Sequence, residues 1–395
     1  MTQTTRTAPE NRPAEIVALP SRGAQSQWQL IRKRFCRHKL ALASLFVLMV
    51  LYTVAIAAGF FAPYPKEFEN LDYAYCPPQP LQFDFTHGLH IRALAPHVDP
   101  VTYKKSYTRT DQVIPLGFFV RGRSYRFWGL FQTDLHFFGI DNNSWDGSAL
   151  LVDNPAGGQM EVQPAFYLLG ADEYGRDLLS RIIYGARISL SIGLVAIVVT
   201  FILGLTIGGI SGYVGGRLDN VIQRGIEIIN SFPRLPLWLA LGAAVPTDWS
   251  PLKVYFGITL VLALLGWTGL ARVVRGKLLS LREEEYATAA RLLGAGHGRI
   301  IFRHLLPGFT SHIIVSLTLR VPTMILGETS LSFLGLGLRP PVVSWGVMLR
   351  DAWNMEVVAN YPWLLLPVVF IILVVLSCNF LGDGLRDAAD PYSTN

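Results

Sequence analysis

Apolar residues fall in long blocks separated by polar, charged or turn-forming stretches, and these blocks organise the chain. Between Lys39 and Lys66 no residue is charged, and 39–62 is almost wholly apolar. Roughly 20 such residues cross a bilayer core as a helix, since about 1.5 Å of rise per residue must cover about 30 Å of hydrocarbon. Further blocks at about 188–210, 229–246, 254–272, 308–327 and 361–382 predict six transmembrane helices in all. The third block is the weakest, with Arg234 between Pro233 and Pro236, and the fifth contains His312 and Arg320. Six crossings return both termini to one side of the membrane.

Residues 63–180 break this pattern. Short aromatic runs, which include Phe118, Phe119, Tyr125, Phe127, Trp128, Phe131, Phe137 and Phe138, alternate with turn formers such as Asp141-Asn142-Asn143 and Asn154-Pro155-Ala156-Gly157-Gly158. They predict a β-rich folded domain inserted after the first span. Residues 1–27, rich in Pro, Thr, Gln and Ser, read as a disordered tail that leads into a basic flank ending at 38. The expected fold class is an all-α polytopic membrane protein with one inserted, β-rich extracytoplasmic domain.

Composition narrows the function classes. The 395 residues are 51% hydrophobic and 16% charged, with a mean hydropathy of +0.36. Soluble domains carry about 25% charge, so an ordinary soluble enzyme and a disordered protein are both excluded. Cys36, Cys76 and Cys378 fall in three different segments and form no disulfide framework. The net charge of +6 works as an orientation signal. Residues 1–39 hold eight Lys/Arg against two acidic residues, and the connection after the fourth span holds Arg272, Arg275, Lys277, Arg282, Arg291, Arg299 and Arg303. Short basic flanks stay cytoplasmic, so both signals place the termini and that connection in the cytoplasm. The first apolar block is too long for a removed signal peptide and reads as an uncleaved anchor.

Chemistry of the chain's own is not evident. A phosphate-cradling loop needs G-x-x-x-x-G-K-[ST], but Gly276-Lys277 is followed by Leu278 and preceded by Ala271 where the first Gly belongs. No H-E-x-x-H and no zinc spacing occurs. Ion-driven carriers place carboxylates within spans; here Glu328 lies at the outer end of the fifth and Glu227 near the start of the third. Arg320 and His312 are candidate contacts along a substrate path, although Arg320 also reads as a side chain facing the bundle or snorkelling outward. Gly204 and Gly208, continued by Gly212 and Gly216, predict close helix packing.

The connection 273–307 is distinctive. Its first part reads as a helix with small residues at 287, 289 and 290, which Gly294 to Gly298 end. A short amphipathic helix then follows and stops at Pro307. A small-residue face on a charged helix pair predicts a docking surface for another protein.

Thr288-Ala289-Ala290, Gly294 and Leu306-Pro307 resemble the signature of binding-protein-dependent ABC importer permeases: Glu-Ala-Ala, three residues, Gly, nine residues, Ile, one residue, Leu-Pro. Thr288 stands for the Glu and His304 for the Ile. Leu169 to Asp177, Tyr184 to Leu190, Ser330 to Gly337, Ser344-Trp345-Gly346 and Leu381 to Asp387 resemble the C-type permease subunit of oligopeptide/dipeptide importers. This resemblance implies a type I ABC importer permease in a bacterial inner membrane, forming half of a pathway for di- or oligopeptides. It implies no catalytic residue, no metal and no cofactor on this chain, with ATP and Mg on partner subunits. The implied partners are a second homologous permease, two ABC ATPase subunits (or one dual subunit) and a periplasmic binding protein. Membrane lipid surrounds the assembly, and nucleic acid has no part in it. Coupling to the ATPase is expected from Glu285, Ala289, Ala290, Gly294 and Pro307. One alternative is the same transporter type importing a sugar oligomer, an opine or a nickel complex. A remoter one is a membrane enzyme using His87, His90, His97, Asp99, Asp134 and His136 of the insert, which show no ligand or triad spacing.

Overall fold

The computed structural model describes residues 27–389 apart from 103, 143, 154–157 and 247. The tail expected over 1–27 therefore lies outside the described residues, save that Gln27 already opens a helix, α1 (Gln27–Phe35). α1 carries Arg32, Lys33 and Arg34 in its last turn. The first span, α2 (Lys39–Ile56), starts on His38, whose Nδ1 accepts the Ala41 N–H at 3.1 Å. It ends six residues earlier than the apolar block, and a single turn, α3 (Ala58–Phe61), follows.

The insert is β-rich. β1 (Gln82–Asp84), β2 (Gly88–Val98), β3 (Lys105–Phe127) and β4 (Phe131–Ile140) form an antiparallel sheet in sequential order. β3 pairs with β2 through its first half and with β4 through its second, so one long strand serves two hairpins. β5 (Leu150–Asp153) and β6 (Gln159–Val162) form a separate hairpin. Ile91, Ile114, Leu116, Val162, Phe166 and Tyr167 fill the core between them. The insert is tied to the top of α2: the Trp128 indole N–H donates to the Ile56 carbonyl at 3.1 Å, and His136 bonds the Ala62 carbonyl at 2.6 Å.

The bundle follows. It comprises α4 (Leu178–Val214), α5 (Gly216–Ser231), α6 (Arg234–Ala243), α7 (Pro251–Leu281), α8 (Glu285–Leu292), α9 (His297–Arg299), α10 (Thr310–Thr318), α11 (Val321–Phe333), α12 (Trp345–Asp351), α13 (Met355–Asn360) and α14 (Leu366–Ala389). Five helical stretches among the described residues are long and apolar enough to cross a membrane: Lys39–Ile56, Leu178–Val214, Pro251–Leu281, His297–Phe333 and Pro362–Ala389.

The block expected to span 229–246 is not one helix. α5 begins at Gly216, the chain breaks at Phe232-Pro233, and α6 lasts only 10 residues. Pro233 lacks an N–H and disfavours helical backbone at Phe232, which ends α5. Even so, this segment runs the length of α7 in the opposite direction. Asp219 meets Arg275, Asn230 Oδ1 accepts from Thr268 at 3.1 Å, and Val245 faces Gly257. The return is required because α4 and α7 lie parallel. A Cβ on Gly204 would sit 2.8 Å from Leu270, one on Gly208 2.5 Å from the Ala271 carbonyl oxygen, and one on Gly212 2.7 Å from the Arg275 carbonyl oxygen. Three of the four spaced glycines thus make the seam. Gly216 does not, as it lies past the end of α4 with open space around it.

Other boundaries shift as well. α4 starts at Leu178, ahead of its apolar run, because Asp177 caps it through the Ser180 N–H at 2.7 Å. α7 continues to Leu281, so 273–281 belong to a helix rather than to the connection. α14 runs to Ala389, into the segment expected to be a tail from 386.

Candidate functional site

The connection after α7 is built around α8. Glu285 lies exposed in its first turn, where the helix dipole favours a carboxylate. Gly294 has φ +80 and ends the helix with two hydrogen bonds: its own N–H to the Arg291 carbonyl and the Ala295 N–H to the Ala290 carbonyl, both at 3.0 Å. This is the Schellman arrangement, which needs a left-handed residue and therefore favours glycine. The Ala-Ala-x-x-x-Gly spacing thereby acquires a physical meaning: Ala290 supplies the carbonyl and Gly294 the turn.

The small residues do not form one outward face. Ala287 is fully buried with Leu278, Ile300 and Leu305, Ala290 and Ala295 pack partly against that cluster, and only Ala289 is exposed. They seat α8 on the bundle. What projects outward instead is apolar and large: Leu292 is 84% exposed and Leu293 87%. The seat is reinforced by the Arg282 guanidinium, which donates to the Gly212 and Tyr213 carbonyls at 3.4 Å, and by His297, which bonds the Tyr213 hydroxyl at 3.2 Å. Nearby, Arg275 and Asp219 form a two-pronged ion pair that joins α7 to α5.

The second helix does not stop at Pro307. After α9 the backbone widens into a π-turn (Ile300–Leu305) and tightens into a 3₁₀ turn (Leu306–Phe309) that leads straight into α10. Pro307 sits at the start of that 3₁₀ turn, where a missing N–H costs nothing. Leu305 and Phe309 anchor both sides of it in the core.

Arg320 and His312 are not brought together. Arg320 caps α11 at the break after α10, and its guanidinium donates to the Gly266 carbonyl at 3.1 Å. A Cβ on Gly269 would lie 2.5 Å from the Arg320 side chain, so α7 carries glycine there to admit it. His312 lies on α10, exposed, eight residues earlier. In the insert, His87 and His90 meet edge to face at 5.7 Å beside Asp84, whereas the His136 ring lies apart and bonds the Ala62 and Arg123 carbonyls; among the described residues no group of three His, Cys, Asp or Glu could hold a metal.

Sequence reasoning missed a polar hub at the insert side of the bundle. Glu328, just past the apolar block at 308–327, is completely buried. It accepts from Ser189 Oγ at 3.1 Å and from Ser332 Oγ at 2.8 Å. Ser189 Oγ in turn accepts the Trp345 N–H, and the Trp345 indole donates to the Ile182 carbonyl at 3.0 Å. Just above, Asp172 bonds Arg176 at 2.7 Å and Arg181 at 3.1 Å, while Asp351 meets Arg181 at 3.3 Å. The motifs beginning at Leu169, Tyr184, Ser330 and Ser344 converge here. Their shared position was the available signal, but side chains contributed by four distant segments give no local spacing to read.

The family described as binding-protein-dependent transport system inner membrane component matches residues 204–393, and the N-terminal transmembrane domain of oligopeptide transport permease C matches 26–78. The dipeptide transport system permease protein DppC of Bacillus subtilis is 41% identical over 58% of this chain and 69% of its own. The oligopeptide transport system permease protein OppC of Haemophilus influenzae is 41% identical over 57% and 70%. The glutathione transport system permease protein GsiD of Pectobacterium atrosepticum is 40% identical over 56% and 72%. Among solved structures, an inward-facing MetNI methionine ABC transporter is 18% identical with a TM-score of 0.44, over 53% of this chain and 97% of that one.

Proposed function

The chain belongs to the binding-protein-dependent transport system inner membrane components, on their oligopeptide/dipeptide permease branch, and from that premise we propose that it forms half of the translocation pathway for di- or oligopeptides. As a transport permease it is not an enzyme. In this reading a second, homologous permease completes the pathway, two ABC ATPase domains bind on the cytoplasmic side, and a periplasmic binding protein delivers the solute on the side of the insert. The membrane is the bacterial inner membrane and both termini are cytoplasmic. Six crossings are counted, with the return segment α5–α6 as the third.

The observation that carries the proposal is α8. It is a short helix, seated on the bundle by Ala287 and closed by Gly294, which turns Leu292 and Leu293 outward beside Tyr286. Large exposed apolar side chains on a rigidly held helix fit a groove on a partner. ATP binding by the partner would move α8, and because α8 is seated against α4, α7 and α10, the bundle would shift with it. The same assembly, reconstituted with its ATPases and loaded binding protein, tests this. Leu292→Asp combined with Leu293→Asp should lower binding-protein-stimulated ATPase at least tenfold, with the permease pair still assembled. Full stimulation in that variant sinks the assignment.

A further inference from the structure

A second feature lies at the opposite end of α4. A cavity of about 730 Å³ opens beneath the tip of the β3–β4 hairpin, and its wall carries Lys66, Glu67, Arg126, Gln132, Tyr184 and Arg187. A groove of about 570 Å³ continues from it, lined by Tyr52, Ile56, Leu190, Leu194, Leu252 and Tyr255. The two share Trp128, Arg187, Ile188, Pro251 and Val342, so they are one continuous concavity, polar above and apolar below. The Arg187 guanidinium marks the junction, lying 3.9 Å over the Trp128 ring.

The charges are not balanced within the cavity. Lys66 and Glu67 pair at 3.5 Å, while among the described residues Arg126 and Arg187 have no carboxylate partner. Two cations therefore remain over an apolar groove. The groove lies on membrane-crossing helices, and Ile56, Leu194 and Leu252 at its rim are exposed, as are Phe46, Met49 and Val50 farther along α2. Leu194 lies seven residues beyond Arg187, which places it about 10 Å deeper along α4. The ligand chemistry that matches is an anion attached to a hydrocarbon chain: cations take the phosphate, and the groove takes the acyl chain.

We infer that this concavity is a binding site for an anionic phospholipid from the leaflet on the insert side, wedged between α2, α4, α7 and the hairpin tip. The phosphate meets Arg187 and Arg126, and an acyl chain lies along Leu190, Leu194 and Tyr255. Trp128, which bonds Ile56 and stacks on Arg187, ties the insert to the lipid's polar end. The inference does not depend on which solute is carried.

The test is native mass spectrometry of the full transporter released from nanodiscs holding equal phosphatidylglycerol and phosphatidylethanolamine. The wild type should retain phosphatidylglycerol at least fivefold over phosphatidylethanolamine. Arg126→Gln with Arg187→Gln should abolish that preference, and Leu194→Trp, which fills the groove and leaves both cations in place, should lower retention of both lipids. Should the double variant fail to assemble, Leu194→Trp alone decides. Equal retention of the two lipids by the wild type overturns the inference, as does unchanged retention in Leu194→Trp. A disulfide from Leu194→Cys to the second permease overturns it too, because a protein helix would then occupy the groove.

Discussion

At residue scale, Gly294 ends α8 in a backbone region that costs an L side chain about 1–2 kcal/mol, although open space surrounds its Cβ position. Gly294→Ala should therefore loosen α8 without a clash, and in the assembled transporter it should reduce solute uptake per ATP hydrolysed severalfold. Gly296, with φ −66, tolerates a side chain, so Gly296→Ala should leave that ratio unchanged. Equal effects at the two positions would contradict the role of the left-handed turn. Asp177 makes a second prediction. Burial pushes its carboxyl up to about 7, although the Ser180 N–H and Oγ–H both donate to it and pull the other way. The folded protein then keeps a proton that the unfolded chain releases above about pH 4, so stability falls as pH rises from about 4 to 7 and levels beyond. The melting midpoint should drop between pH 5 and 7.5, and Asp177→Asn, which preserves the cap, should flatten most of that drop. Parallel slopes in the two proteins would show that the proton resides elsewhere. Gly294 as the end of α8 was legible in the sequence, whereas Pro307, expected to stop the second helix, sits within a chain that continues into α10. The inward turn of Ala287 was not, because eight residues with three alanines give no apolar period to read.

At the scale of elements, the α4–α7 seam separates two adjacent glycines. A Cβ on Gly208 would lie 2.5 Å from α7 backbone, whereas one on Gly209 meets nothing within 4 Å. Gly208→Ala should thus force the helices apart and lower thermal stability by several degrees. Gly209→Ala, relieved of glycine's helix penalty of about 1 kcal/mol, should be neutral or stabilising. Comparable loss in both would refute the packing. The seam was legible from G-x-x-x-G spacing. The return segment α5–α6 was only half legible, because its amphipathic first helix contains Asp219, Arg224 and Glu227 and escapes an apolar-run criterion. What reveals its return along α7 is the parallel course of its neighbours, a tertiary fact. Arg320 shows the same limit: the sequence offered bundle, snorkel or pathway, and only Gly266 and Gly269 on another helix reveal the packing contact.

At the scale of the molecule, the two ends of the bundle are specialised. One carries α8, its apolar tip and the basic connection; the other carries the β insert, the Glu328 hub and the amphipathic concavity. Parallel α4 and α7 each run from the insert end toward the end that carries α8, and in the proposed cycle they would carry a movement of α8 to the far side. The most direct test of this account is uptake of a labelled dipeptide and a labelled oligopeptide into proteoliposomes holding both permeases and the ATPases, with ATP inside and binding protein outside. The account predicts uptake of at least one of them that requires ATP, binding protein and this chain together and is lost in the Leu292→Asp, Leu293→Asp variant. Uptake by this chain without ATP, or uptake undiminished in that variant, would contradict it.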